Sequence, residues 1–423
     1  MYVTWITVLV ARLLGCGAVT SFDTSPTLTA WRALLAVAVV FVMLATTGWS
    51  AVHHQRSDEG RTLALASWAR DRIAGRALPD VDAPAYRLAH FFATLTSGQQ
   101  VALAGKYPSV VGNLNGAPVT LRYHANRLAL KQAAAAEKRR VHGAALSADG
   151  RDEAVRRINR FRSLLAGDRQ ILAFDPSGKG RAAEVFGDLD RAARVSVIVP
   201  GVDTHLLTME RTRGANAAPV GMAKSLYGAE RSAAPGTRTA VIAWADYTAP
   251  AGLGMDAALG RLAADGAVRL NAMVGALPGT STVSLFCHSY GSVVCGVAAD
   301  EAPGRVADIA VAGSPGMRAA NAGQLDTDAR IWAMRDQDDW IGDVPHLEFG
   351  GIGHGADPVD PDFGARIVSA AGAAGHSGYF EPGTASLDNF AAIGVGAYGS
   401  VRCAGADSAC HSGIHGERDG RRA

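Results

Sequence analysis

The chain has 423 residues, 48% hydrophobic and 19% charged, which excludes both a disordered polar chain and a multi-span transporter. Its 41 Lys and Arg balance 39 Asp and Glu to a net charge of +2, without the basic excess of a nucleic-acid surface. Forty-nine glycines and an aromatic content of 7% favour closely packed helix–strand layers over an aromatic-rich β-sandwich.

Tyr2 to Val19 is apolar apart from Arg12. Leu13-Leu14-Gly15-Cys16 within it loosely matches a lipoprotein cleavage box but lacks the basic segment that should precede one. From Ala33 to Thr47 there is no charge, and Trp31 and Trp49 bracket the run at positions suited to two membrane interfaces. The resulting span, 31–49, approaches the ~20 residues needed to cross a hydrocarbon core. Residues 1–50 are therefore expected to be a single-pass signal anchor carrying an extracytoplasmic body. A cleaved signal peptide, which would release the body as a secreted protein, and a buried helix are the alternatives. Arg12 and Arg32 before the uncharged run and Arg56 and Arg61 after it leave its orientation unbiased.

Residues 51–167 read as an α-helical arm broken at Pro79, Pro84, Pro108, Gly112–Gly116 and Gly143–Gly150. Val155, Ile158, Phe161, Leu164 and Leu165 recur at helical spacing, with Arg156, Arg157, Arg160 and Arg162 mostly opposite. This predicts an amphipathic helix with a solvated basic face. The Glu137–Arg140 run is likewise expected in solvent.

Residues 168–400 change texture. The runs 170–174 and 183–186 flank turn residues 176–180 and read as a hairpin. Five apolar runs follow, at 195–199, 240–245, 282–287, 308–312 and 329–334, separated by segments long enough for helices. Continuous apolarity marks strands covered on both faces. The expected fold is three-layer α/β with a mostly parallel sheet and a hairpin on one edge. Residues 401–423 read as a polar tail.

The chemistry falls at strand ends. After the run ending at Cys287 comes His288-Ser289-Tyr290-Gly291 and a helix-like segment, the strand–turn–helix context of a nucleophile elbow. Cysteine stands where the G-x-S-x-G pattern has its first glycine. Ser289 is the candidate nucleophile. The acidic loop after 329–334 supplies the orienting acid, with Asp339 preferred over Asp336, Asp338 and Asp343. His376, in a Gly-rich loop before a helix-like segment, is the preferred base, ahead of His354 and His346. An oxyanion hole would combine the N–H groups of Tyr290 and Val202, with Gly201 allowing close approach.

Five cysteines include two local pairs, Cys287 with Cys295 and Cys403 with Cys410. Disulfides, suited to an oxidising compartment, and buried free thiols are both open readings. No CxxC occurs, and Cys403 with Cys410-His411 lacks structural zinc spacing. Gly178-Lys179-Gly180 is not a phosphate loop. No cofactor and no metal are expected.

Taken in order, Gly112–Pro118, Arg122–Asn126, Val199–Asp203, Trp244–Pro250, Cys287–Gly291, Gly353–Pro358 and Gly375–Phe380 resemble an actinobacterial α/β-hydrolase family catalogued as a domain of unknown function. The resemblance spans about Gly112 to Gly396. It implies an α/β-hydrolase fold and a Ser-His-Asp site on Ser289, His376 and Asp339, with no established substrate. The expected activity is that of a serine hydrolase acting on an ester, thioester or amide bond of a small or lipid-like acyl substrate, ester being favoured by analogy with the fold, without nucleic acid. A non-catalytic envelope module and an acyltransferase using the same residues are the alternatives.

Overall fold

The apolar runs that read as buried strands form the middle of one eight-stranded sheet in the computed structural model, which describes residues 60–143, 146–405 and 408–414. Its strands are β1 (Gln170–Asp175), β2 (Arg181–Gly187), β3 (Arg194–Val199), β4 (Thr239–Ala245), β5 (Thr282–His288), β6 (Val306–Ala312), β7 (Arg330–Met334) and β8 (Arg366–Ile367). They lie in the order β8-β7-β6-β5-β3-β4-β2-β1. The β1–β2 hairpin occupies one edge, as expected, and β2 is antiparallel to both its neighbours. All other pairings are parallel.

Register sets up the site. Val199 pairs with Cys287, Cys287 with Val311, and Ala312 with both His288 and Met334. The loops that follow β3, β5, β6 and β7 therefore leave the sheet side by side at its C-terminal edge, where ligands of open α/β sheets bind.

The helical arm is built from α1 (Ala85–Ala93), α2 (Ser97–Lys106), α3 (Val119–Val141) and α4 (Ala148–Leu165). It has its own core around Trp68, Leu88, Phe92, Leu103 and Val111. It also joins the sheet edge, because Ala129 and Leu130 pack with Phe161, Ile171 and Phe174. Asn126 Nδ2 donates to Gly112 O and to Ile171 O, both at 2.9 Å, and Asn113 bonds both backbone groups of Phe174.

The basic face of α4 departs from expectation. Arg157 is 5% exposed and pairs with the equally buried Glu137 at 2.8 Å, while also donating to Pro176 O and Gly178 O. Arg160 pairs with Glu210 at 2.6 Å, and Val155 faces outward at 44% exposure. The helix is covered on two sides, by α3 and by the hairpin turn, so its buried stripe is wider than one apolar row. Of the four arginines, Arg156 and Arg162 are exposed.

Alternate residues of the strands face opposite layers, as buried parallel strands should. Val197, Leu285 and Ile309 pack under α6 (Arg261–Gly275) and α7 (Gly291–Ala298). Ile198, Phe286 and Ala310 pack under α5 (Pro219–Ala233) and α8 (Ala385–Val395). Beyond α8 the chain returns to β8: Val368 bridges Cys403, and Cys403 is disulfide-bonded to Cys410. The expected span at 31–49 lies outside the described residues. Among the described residues no helix is long and apolar enough to cross a membrane.

Candidate active site

β5 ends at His288 and α7 starts at Gly291, leaving Ser289 and Tyr290 to make the turn. Ser289 sits at φ +57°, a conformation that costs a non-glycine residue energy and clusters at functional sites. Its N–H is held by Ala312 O at 3.0 Å. Gly291 is required by close packing, since a Cβ there would stand 2.1 Å from Val199 O. At Cys287, where the usual motif has glycine, a disulfide to Cys295 ties the strand to the elbow helix, with both residues buried.

Asp339 follows β7 and caps the short turn Trp340–Asp343, its Oδ1 accepting the Ile341 N–H at 2.9 Å. His376 Nδ1 lies 2.8 Å from Asp339 Oδ1 and 3.0 Å from Oδ2, and Tyr379 donates its hydroxyl to Oδ2 at 2.5 Å. Burial pushes the Asp339 carboxyl up, but the bonds from His376, Tyr379 and the Ile341 N–H outweigh it and hold the group below its ordinary range. The other acids are placed elsewhere. Asp336 accepts the N–H groups of Gly375 at 2.9 Å and Asp338 at 3.2 Å, while Asp338 and Asp343 are exposed. His354 is buried with Nε2 on Ala257 O at 2.7 Å, and His346 contacts Ser314 O.

Ser289 and His376 are neighbours through their surroundings. Ser289 Oγ makes no hydrogen bond to His376 in this structure. His288, however, donates from Nε2 to His376 O at 2.6 Å, and the two rings lie 4.9 Å apart. Burial, reinforced by His376, drives the His288 pKa down to about 4, so it stays neutral with its proton on Nε2. Gly313 follows the residue that holds the Ser289 N–H. A Cβ there would lie 2.7 Å from Asp339 Oδ2 and 3.0 Å from His376 Nδ1. The Trp340 ring stands 4.7 Å from His376. Sequence reasoning did not assign roles to His288, Gly313, Tyr379 or Trp340. Their proximity to motif residues was visible, but their contacts are tertiary.

The loop after β3 presses on the nucleophile. A Cβ on Gly201 would lie 2.6 Å from Ser289 Cβ and 2.9 Å from its Oγ. Tyr247 donates to Pro200 O at 2.6 Å, the Asp203 N–H bonds Pro250 O, and Asp203 Oδ1 accepts the Gly252 N–H at 2.9 Å. The N–H groups of Val202 and Tyr290 have no hydrogen-bond partner among the described residues.

Cys403, Cys410 and His411 cluster within 4.8 Å, yet both sulfurs belong to a disulfide and His411 Nε2 bonds Val401 O. That set offers no thiolate ligand. Two surface clefts of about 770 and 830 Å³ lie along the β7–β8 edge and between α5 and α8, and neither is lined by Ser289, Asp339 or His376.

Residues 175–349 match a protein family described as Alpha/beta hydrolase. With this sheet order and elbow, the chain carries an α/β-hydrolase domain. The matched stretch includes Ser289 and Asp339, and His376 lies beyond it. Uncharacterized proteins of Mycobacterium tuberculosis, from strains CDC 1551 / Oshkosh and H37Rv, are each 28% identical over 190 residues. The match covers 38% of this chain and only 28% of the length of those relatives. Among solved structures, XC6422 of Xanthomonas campestris, an α/β serine hydrolase without a lid, is 17% identical with a TM-score of 0.26, covering 41% of this chain and 73% of its own. The 2,6-dihydroxy-pseudo-oxynicotine hydrolase is 12% identical with the same TM-score, covering 67% of this chain and 83% of its own.

Proposed function

We propose that the chain is a serine hydrolase that cleaves esters through an acyl-enzyme on Ser289. The observation that carries this reading is the pairing of the buried Asp339 carboxylate with His376, together with a serine at positive φ on a strand–helix turn. Asp339 fixes the Nδ1 proton and leaves Nε2 as the base. Ser289 Oγ attacks the acyl carbon as His376 Nε2 takes its proton, and the N–H groups of Val202 and Tyr290 receive the negative oxygen. The tetrahedral intermediate expels the alcohol, protonated by His376. Water, deprotonated by the same nitrogen, then attacks the acyl-enzyme and releases the acid. Catalytic hydrogen bonds are often open in unliganded enzymes and close around substrate, so the Ser289–His376 bond belongs to the substrate complex.

The open Ser289–His376 bond is also the observation that favours a second reading, a non-catalytic envelope module. Labelling of the full chain with a fluorophosphonate separates the two. An adduct mapped to Ser289 and absent in Ser289→Ala supports the hydrolase, and a folded but unlabelled chain supports the module. Two disulfides support residence in an oxidising compartment, consistent with an anchor at 31–49 and an extracytoplasmic catalytic body.

A further inference from the structure

More than half of the exposed large hydrophobics among the described residues fall in three segments at the site: Leu253, Met255 and Leu259 after β4, Leu347 and Ile352 around a small hairpin, and Trp340 after Asp339. Scattered exposed apolar residues mean little, whereas a contiguous set bordering a site marks a binding surface. These segments are tied to the nucleophile's neighbourhood. The strap 252–260 starts on the oxyanion loop, through the Gly252 N–H on Asp203 Oδ1. Farther along it, Tyr290, the residue after the nucleophile, donates its hydroxyl to Leu259 O at 3.2 Å, and His354 holds Ala257 O at 2.7 Å. The His354 ring stands edge-on to Tyr290 at 5.7 Å.

The strap and the hairpin are joined to each other. Leu259 pairs with Ile352 in an antiparallel bridge, and the Arg318 guanidinium lies against Gly260 while donating to Gly353 O at 2.9 Å and pairing with Glu348 at 2.6 Å. On the histidine side, Trp340 meets His376 and is 42% exposed. Apolar side chains thus stand on fixed backbone beside the oxyanion loop, the elbow and the base, at 37% to 68% exposure. Among the described residues none covers them beyond this degree. A group that would is the hydrocarbon of an acyl chain whose carbonyl lies on Ser289.

Resting on the serine-hydrolase reading, we propose that this apolar collar selects long-chain acyl esters, with the chain laid along Leu253, Met255 and Leu259. The bond formed and broken at Ser289 is the same as above, and the collar acts only on the apolar part of the substrate. The test measures kcat/KM for p-nitrophenyl acetate, butyrate, octanoate and decanoate on the full chain, each ester kept below the concentration at which it aggregates. The expected rise is on the order of 100-fold from acetate to decanoate, since each fully buried methylene is worth roughly fourfold and the collar covers the chain in part. The double variant Leu253→Ser with Met255→Ser, at exposed positions that leave the core intact, should lower the decanoate-to-acetate ratio at least about tenfold. A flat or falling chain-length profile on protein whose Ser289 takes a fluorophosphonate overturns the collar and leaves the hydrolase reading standing. A chain whose Ser289 takes no fluorophosphonate overturns both.

Discussion

His376 Nδ1 stands within 3.0 Å of both carboxylate oxygens of Asp339, whose side chain is fully buried. A charge removed from water to this extent persists because three donors serve it, from His376, Tyr379 and the Ile341 backbone. Asp339→Asn keeps the shape, but its amide nitrogen competes with the Nδ1 proton and favours the wrong imidazole tautomer. The expected outcome is a fall in kcat/KM of about 10³ to 10⁴ with the fold retained, read by ester kinetics and circular dichroism. Near-wild-type turnover would remove Asp339 from the mechanism.

Tyr379→Phe deletes one donor to Asp339 Oδ2 and the acceptor of the Asp336 N–H, in a side chain with no exposure. The loss should be about 1 to 2 kcal/mol in urea unfolding. The sign of the pH effect follows from the carboxylate. Asp339 sits below its ordinary value, so its stabilisation is complete at neutral pH and fades as pH falls through that depressed value. With one donor gone the value rises, and the acid limb of stability should move to higher pH. An unmoved limb would show that Tyr379 serves packing alone.

Gly201→Ala separates the site from the scaffold. The added methyl would meet Ser289 Cβ and Oγ, whereas one at Gly304 meets nothing within 4 Å. Gly201→Ala should slow fluorophosphonate modification about 100-fold, the cost of a displacement near 1 Å at the reacting group. Gly304→Ala should leave that rate unchanged. Equal rates in the two variants would mean that the loop after β3 does not border the reacting carbonyl.

Glu230 lies under the sheet with Ser196 donating to it, and burial pushes its carboxyl up to about 8. It is protonated in the folded protein at neutral pH and ionised in the unfolded chain. Its contribution to stability is therefore complete below about 4.3 and is lost as pH rises through about 8. Glu230→Gln should flatten the decline in unfolding free energy across that window, followed by urea titration at a series of pH values. An unchanged slope would place the titrating group elsewhere.

What could be read before folding was whatever the chain writes locally. Continuous apolar runs marked β3 to β7 because both faces of those strands are covered, and Ser289 was marked by a strand before it and Gly291 after it. Asp339 was legible as an acid at a strand end. The histidine was harder, since His346, His354 and His376 all sit in Gly- or Pro-containing loops. What distinguishes them is tertiary: His354 is spent on Ala257 O, 97 residues away, while His376 reaches Asp339. β8 has two residues and no apolar run to announce it. The buried Arg157–Glu137 pair looked like solvent because charge pattern alone does not say which side of a helix a second helix will cover.

The central claim is that His376, held by Asp339, activates Ser289. Its most direct test is the second-order rate constant for fluorophosphonate modification of Ser289, mapped by peptide mass, in the wild-type chain and in His376→Ala. The expected result is a single adduct on Ser289 and a drop of about 10² to 10⁴ when the base is removed. Equal rates in the two proteins, or an adduct elsewhere than Ser289, would contradict it.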